Sequence, residues 1–224
     1  VKADRVLTAK IREIQHQVKH RYGSPRVRME LRALGFPCGK HRVARLMQEN
    51  GLAARRPRKF RLTTQSAHTE PIASNVLQRQ FSLATHPAPN RTWAADITYI
   101  PTAEGWLFLA VVLDLASRRV VGWALRTRLD HELALAALQM ALTRRRPHGG
   151  LHHSDRGVQY ASVAYQRLLH QAGFTPSMGR VGDCWDNAVV ESFFATLTKE
   201  LLADHSFETR AQAASELFAF IEIW

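Results

Sequence analysis

A chain of 224 residues with 46% hydrophobic content has room for one substantial core and a small appendage. It contains no run of about 18 apolar residues, which argues against a membrane-spanning helix, and no apolar stretch follows Val1-Lys2-Ala3-Asp4 as it would in a signal peptide. The net charge of +12 is confined to one end: residues 1–61 hold 17 Lys and Arg against 4 Asp and Glu, residues 62–224 hold 14 against 15, the pattern of a polyanion-binding module joined to a near-neutral one.

The first segment reads as helices. Leu7, Ile11, Ile14 and Val18 form an apolar stripe at helical spacing. Tyr22-Gly23-Ser24-Pro25 breaks it, with Ser24 a candidate N-cap and Pro25 the first helical position. Val27, Leu31 and Leu34 form a second stripe. After the turn Gly35-Phe36-Pro37-Cys38-Gly39, Val43, Leu46 and Met47 form a third, ended by Asn50-Gly51. Two short helices joined by a Gly-bearing turn have the form of a helix-turn-helix. Lys40, His41, Arg42, Arg45 and Gln48 fall on the outward face of the last helix, where they can reach phosphates and base edges in a major groove. An ordinary three-helix bundle with a wet basic face would present the same pattern. Arg55, Arg56, Arg58 and Lys59 flank Pro57 in a basic arm, which is either a strip along a phosphate backbone or a linker. These residues, with Arg61, close a module over 1–61. The polar, Pro-bearing stretch 62–90 reads as the linker, and a second domain is expected over 91–224.

Strands are expected at Trp93–Ile100, Trp106–Leu113 and Arg118–Leu125, close enough in succession for an antiparallel meander. A helix from about Asp130 to Arg144 follows, then a short strand from Gly149-Gly150 to Ser154. Next come a helix over Tyr160–Gln171, a fifth strand over Phe174–Met178, and a helix carrying Glu191 that Asp186 or Asn187 would cap. A last helix starts near Arg210. This order is that of the ribonuclease-H-like α/β fold, a mixed five-stranded sheet with flanking helices. Cys38 and Cys184 read as reduced thiols of a cytoplasmic protein.

Phosphodiester chemistry on hard divalent cations calls for carboxylates on an apolar scaffold. Asp96 interrupts an apolar strand, where an unpaired charge is expensive. Asp155 lies between Gly150 and Gly157, and Glu191 follows Val189-Val190. Singly, each has a plain alternative: a solvent-facing strand Asp, a turn or cap Asp, a surface helix Glu. Asp114 reads as support for a hairpin turn. His152 and His153, adjacent on a strand, point to opposite faces, which disfavours zinc. Trp185, in the loop Gly182–Asn187, is a candidate for stacking on a splayed base or for packing beneath the loop.

Thirty-five residues lie between Asp155 and Glu191, a spacing that resembles the DD(35)E signature of retroviral-type integrases and related transposases. The surrounding words are closer to one family. Trp93-Ala94-Ala95-Asp96-Ile97-Thr98-Tyr99-Ile100, Leu113-Asp114-Leu115-Ala116-Ser117-Arg118-Arg119-Val120-Val121-Gly122-Trp123, His153-Ser154-Asp155-Arg156-Gly157-Val158-Gln159-Tyr160 and Cys184-Trp185-Asp186-Asn187-Ala188-Val189-Val190-Glu191-Ser192-Phe193-Phe194 resemble the second-reading-frame (OrfB) transposase of the insertion-sequence-three family. Tyr22-Gly23 and Arg42-Val43-Ala44-Arg45-Leu46-Met47 resemble its helix-turn-helix.

The resemblance implies an integrase core in which Asp96, Asp155 and Glu191 bind two ions, Mg2+ or Mn2+. It implies nicking of element ends and joining of the 3′-hydroxyl to DNA. The partners would be double-stranded terminal inverted repeats and target DNA, held by a homo-oligomeric synaptic complex in the bacterial cytoplasm at the nucleoid, with no membrane. It departs from the family at Thr198, where a basic residue is more usual. The displacement to Lys199 turns the side chain by about 100°, so no role is carried over. Family members also continue past Trp224 with a basic, His-containing segment, so a C-terminal truncation is expected, and the absence of an initial Met suggests a fragment or alternative start. The competing readings are a DNA-binding regulator or decayed element without catalysis, and a nuclease that cuts without joining.

Overall fold

A computed structural model describes residues 2–18, 20, 22–54, 70–82, 84–180, 184–203 and 206–223, although the side chains of Lys2, Cys184, Trp185 and Ile223 are not described. The chain divides into two compact units, residues 1–59 and 60–224. No helix among the described residues is long and apolar enough to cross a membrane.

The first unit is three helices, α1 (Lys2–Gln17), α2 (Ser24–Ala33) and α3 (Lys40–Glu49). The three apolar stripes meet in one core of Leu7, Ile11, Ile14, Val27, Leu31, Val43, Leu46 and Met47, but Val18, beyond the end of α1, and Leu34, exposed at the C-cap of α2, lie outside it. Ser24 is the first helical residue of α2 rather than its cap: Gly23 takes the extended cap conformation and supplies no side-chain bond.

In the second unit, β1 (Thr92–Thr102), β2 (Gly105–Asp114) and β3 (Val120–Arg126) form the expected meander. The third strand starts two residues later than its sequence suggests. Arg118 adopts φ 60° and its N–H donates to the Asp114 carbonyl at 2.8 Å, so Arg118 belongs to the turn. Then follow α4 (His131–Arg145), β4 (Gly150–Ser154), α5 (Val158–Ala161), α6 (Val163–Gln171), β5 (Phe174–Met178), a 3-10 turn at Cys184–Asn187, α7 (Ala188–Leu197), a π-helical turn at Thr198–Leu202, and α8 (Arg210–Ile223). The sheet order is β3-β2-β1-β4-β5, with β4 parallel to both β1 and β5. The single helix expected over 160–171 is broken at Ser162, whose side chain accepts the Tyr165 N–H and starts α6 afresh.

Each sheet face buries its own core. On one side Trp93, Ala95, Ala110, Val112 and Val121 pack against α4, α5 and α6. On the other, Ala94, Ile100, Leu109, Val111 and Leu113 pack against α7 and α8, the alternation that a two-sided sheet demands. The helix α4 presents Ala134, Ala137 and Ala141 to the sheet. It lies so close to Gly122 that a Cβ there would sit 2.2 Å from the Ala137 carbonyl oxygen.

The 62–90 stretch is not simply a linker. Residues 62–69 lie outside the described residues, but from Glu70 onward the chain packs onto the sheet unit. Leu77 is buried among Leu109, Val190 and Leu197, and the Val76 and Leu77 amides donate to Ser177 Oγ at 2.9 and 3.2 Å. Its polar composition conceals this because much of the anchoring is by polar groups, backbone amides and the side chains of Asn75 and Arg79, whose partners are distant in the chain.

Candidate active site

Asp96 lies on β1, opposite Val111 of β2. The neighbouring strand β4 is parallel, pairing Ala94 with His153, and Asp155 follows its last residue. Two adjacent parallel strands therefore deliver both acids to one end of the sheet. Glu191 is in the first turn of α7, whose Val190, Phe193 and Leu197 are buried on the face opposite α4.

Two of the acids act on the third. Burial raises the Asp96 carboxyl well above its ordinary range, Asp155 and Glu191 raise it further, and the Ile97 amide opposes them, donating at 2.8 Å. Burial also raises Glu191. Asp155 accepts the Gly157 N–H at 2.9 Å, and a Cβ at Gly157 would lie 3.0 Å from that carboxylate. Among the described residues, however, no three acidic, His or Cys side chains converge tightly on one point. Two of the three carboxylates are turned onto backbone amides, as mutually repelling charges are.

Buried polar atoms without a partner among the described residues occur on the elements that carry these acids and beside them. The Tyr160 hydroxyl is buried and makes no hydrogen bond among the described residues. Burial raises its pKa well above the usual value, with Asp96 and Asp155 adding to the effect. Asn187 Nδ2 donates to the Ala95 carbonyl at 3.0 Å, tying the start of α7 to the residue before Asp96, while its Oδ1 is buried without a partner among the described residues. His153 faces Ser177 Oγ at 2.9 Å. Because that oxygen already accepts two amides, its one proton goes to His153 Nδ1. The imidazole proton is then on Nε2, which meets no close acceptor among the described residues, although the Asp186 backbone favours its charged form. Burial lowers His153 to about 4 and His152 to about 3, with each other's proximity adding to the shift of His152. Both are neutral at pH 7. His152 turns to the other face, to the Tyr165 hydroxyl at 3.0 Å.

Neither expected cap residue caps α7 with its side chain. Asn187 reaches across to β1. Asp186 is buried and accepts from Asn75 Nδ2 (3.0 Å), Arg79 Nε (2.7 Å) and Arg180 N, Nε and Nη2 (2.8, 3.2 and 3.2 Å). The motif marked both residues, but their partners are distant in sequence. Tyr160 also lies inside one of the family-like motifs, and nothing local distinguishes it from a core tyrosine. Asp114 is fully buried in its hairpin, accepting from the Asn90 and Ser117 amides at 2.8 Å and Ser117 Oγ at 2.6 Å. The side chain of Trp185 is outside what the structure describes.

In the helical unit, Lys40, His41, Arg42 and Arg45 are exposed on α3. Asp4 of α1 pairs with Arg42 at 2.5 Å and with Arg45 at 3.0 Å, and Arg45 also pairs with Glu49 at 2.9 Å. Arg55, Arg56, Arg58 and Lys59 lie outside the described residues.

Family models match in three places: an integrase core domain over residues 86–184, a second integrase core domain model over 172–224, and an HTH-like domain over 2–60. The chain is 45% identical over 205 residues to the transposase InsF for insertion sequence IS3A of Escherichia coli K12, covering 91% of this chain and 70% of the relative. It is 41% identical over 223 residues to an uncharacterized 31 kDa protein of insertion element IS600 of Shigella sonnei, covering 99% and 81%. A simian T-cell lymphotropic virus intasome chain, solved in complex with the PP2A regulatory subunit B56 gamma, is 16% identical with TM-score 0.49, covering 94% and 67%. By its identity to InsF over most of both lengths, the chain belongs to the IS3 family of transposases, enzymes with an integrase core on a ribonuclease-H-like fold.

Proposed function

We propose that Asp96, Asp155 and Glu191 are the catalytic carboxylates of this transposase and that they hold divalent cations, two ions of Mg2+ or Mn2+. The observation that carries this reading is the convergence of like charge on Asp96, a desolvated carboxyl whose ionised form is opposed by two acids from other elements. Keeping Asp96 desolvated with two further acids acting on it incurs a cost that bound cations would offset. The donor set fits: carboxylate oxygens suit hard cations. The buried, unpartnered Tyr160 hydroxyl and Asn187 Oδ1 supply polar atoms for the water such cations retain.

Divalent cations in such a site polarise a phosphoryl oxygen and lower the pKa of bound water. The chain's own contribution is alignment. Parallel β1 and β4 hold Asp96 and Asp155 side by side, and the Asn187 contact to Ala95 fixes the start of the Glu191 helix against them. Water attacks the phosphodiester at the element end, and the 3′ oxygen leaves carrying a proton. That 3′-hydroxyl then attacks a target phosphodiester, forming one P–O bond as another breaks, so no external energy source is needed. Both steps proceed without a covalent enzyme intermediate.

The exposed basic face of α3, with Lys40, His41, Arg42 and Arg45, engages the duplex of the element's terminal repeats, and the arm of Arg55, Arg56, Arg58 and Lys59 follows the backbone. Joining two ends to one target requires two such sites at once, so the working unit is a homo-oligomer. The test is Asp96→Asn: metal-dependent nicking should vanish while binding of end DNA persists. Nicking at the wild-type rate would remove Asp96 from the site.

A further inference from the structure

The near-neutral charge of residues 62–224 conceals a local concentration. Six of their fourteen Lys and Arg, namely Arg91, Arg118, Arg119, Arg144, Arg145 and Arg146, lie in three short segments, 90–92, 114–120 and 143–151, whose one acid is Asp114. The fold gathers these segments at one end of the sheet: the start of β1, the turn into β3, and the passage from α4 to β4. There the Leu115 amide donates to the Thr92 carbonyl at 2.9 Å, the Leu151 amide to the Arg91 carbonyl at 2.8 Å, and Arg91 Nη1 to the His148 carbonyl at 3.3 Å. Asp114 is buried and bonds to the Asn90 and Ser117 groups, not to an arginine. A cleft of about 210 Å³ opens at this end. Buried Val121 and Ile221 line it, and Arg119, Arg144, Arg145 and Glu222 supply its charged wall. Glu222 is engaged, accepting from Trp123 Nε1 and Arg144 Nη2, each at 2.9 Å. The side chains of Arg119, Arg145 and Arg146 make no hydrogen bond or ion pair among the described residues.

We propose that this end of the catalytic unit is a second DNA-contacting surface, on which Arg119, Arg145 and Arg146 take backbone phosphates of a duplex segment other than the one being cut. The five residues of β4 separate it from Asp155, roughly 17 Å at the rise of a strand, so a phosphate held here is not the one under attack. Several features favour the phosphodiester backbone as the ligand. Free guanidinium forks match phosphate oxygens. Cations gathered this closely repel one another, and a polyanion offsets that repulsion. The dipole of α4 accounts for Arg144 and Arg145 in its last turn. It does not account for Arg119, which is on another element, or for Arg146, which has left the helix. Arg146 takes φ 46°, a left-handed position after a helix where glycine is the usual residue, so its side chain is carried there at a conformational cost. A transposase that joins an element end to a target handles more than one duplex segment, and the carboxylates occupy only one of them. The proposal does not depend on which residues are catalytic.

The experiment is an arginine footprint of the full chain with phenylglyoxal, read by mass spectrometry, with and without a fluorescent duplex of arbitrary sequence in chelator. Anisotropy of the duplex shows that it is bound. Modification of Arg119, Arg145 and Arg146 should slow severalfold on the bound duplex at low salt and recover as salt releases it. Arg167, exposed on α6, should keep its rate. Arg119→Gln with Arg145→Gln and Arg146→Gln should make the slope of log affinity against log salt shallower by up to about 2.7, three phosphates at about 0.9 each. With duplex bound, rates for the three arginines that change no more than that of Arg167 overturn the proposal, as does an unchanged slope in a triple variant that melts like the wild type. Protection that grows with protein concentration in the absence of DNA also overturns it, since the surface then meets a second copy. Equal protection by inorganic phosphate, at the same concentration of phosphate groups, overturns it in favour of a small anion. The footprint uses the wild type, so it decides even if the triple variant does not fold. Nicking by Asp96→Asn bears on the carboxylates alone, so the two readings fail separately.

Discussion

Replacing Asp186 with Asn keeps the shape of a buried side chain and removes its charge. The wild-type carboxylate accepts five hydrogen bonds among the described residues, three from Arg180, one from Arg79 and one from Asn75. Charge-assisted bonds to a buried carboxylate are worth about 1.5–3 kcal/mol each. Both guanidiniums are more than a third exposed, so water recovers much of that, leaving about 1 kcal/mol apiece. The new amide also points donors at the Arg180 N–H and guanidinium, and losing that acceptor costs a further 1–2 kcal/mol or so. The sum is roughly 3–4 kcal/mol, a fall in melting temperature of roughly 6–16 °C for a unit of this size. The pH dependence has a fixed sign. The folded carboxyl lies below its unfolded value of 3.8, so its stabilisation is complete above about pH 5 and disappears as pH falls through 4 and lower. Thermal unfolding of both proteins from pH 3 to pH 7 is the assay. The gap should be constant from pH 5 to 7 and narrow below 4. An equal gap at pH 3 and 7, or no gap at 7, would refute the reasoning.

Three further substitutions separate architecture from chemistry. Gly122→Ala places a methyl against the backbone of α4 and should destabilise by about 1–3 kcal/mol, seen as a lower melting temperature. Asp114→Ala leaves the Asn90 and Ser117 amides without their acceptor and should cost about 2–4 kcal/mol. The metal requirement of the protein that remains folded should not change, and a changed requirement would make Asp114 more than a turn residue. Arg42→Ala with Arg45→Ala should make the salt dependence of duplex binding shallower by about 2. An unchanged slope would mean that α3 does not touch phosphate.

Much of the fold is legible because it follows local periodicity. Leu7, Ile11 and Ile14 specify α1 at helical spacing, and the alternating burial of Trp93, Ala94 and Ala95 on opposite sheet faces follows from strand geometry. The motif words mark the three acids. What stays hidden depends on partners distant in the chain. Asp186 before a helix has the local signature of a cap, yet it serves Arg79, 107 residues away. Asn187 has the same signature and bonds to Ala95, 92 residues away. Leu77 is one of several apolar residues scattered without a period through 62–90, and only the folded sheet singles it out as a buried anchor. The break at Ser162 was present as a helix-capping residue, but the apolar pattern runs through it.

Three carboxylates, on β1, after β4 and on α7, are proposed to perform both cutting and joining. The most direct measurement is strand transfer by the wild type and Glu191→Gln, using labelled DNA from the element's end with Mg2+ or Mn2+ against chelator. Metal-dependent joining by the wild type, abolished in the variant while end binding persists, is the predicted result. Joining by Glu191→Gln at the wild-type rate, or joining that persists in chelator, would contradict it.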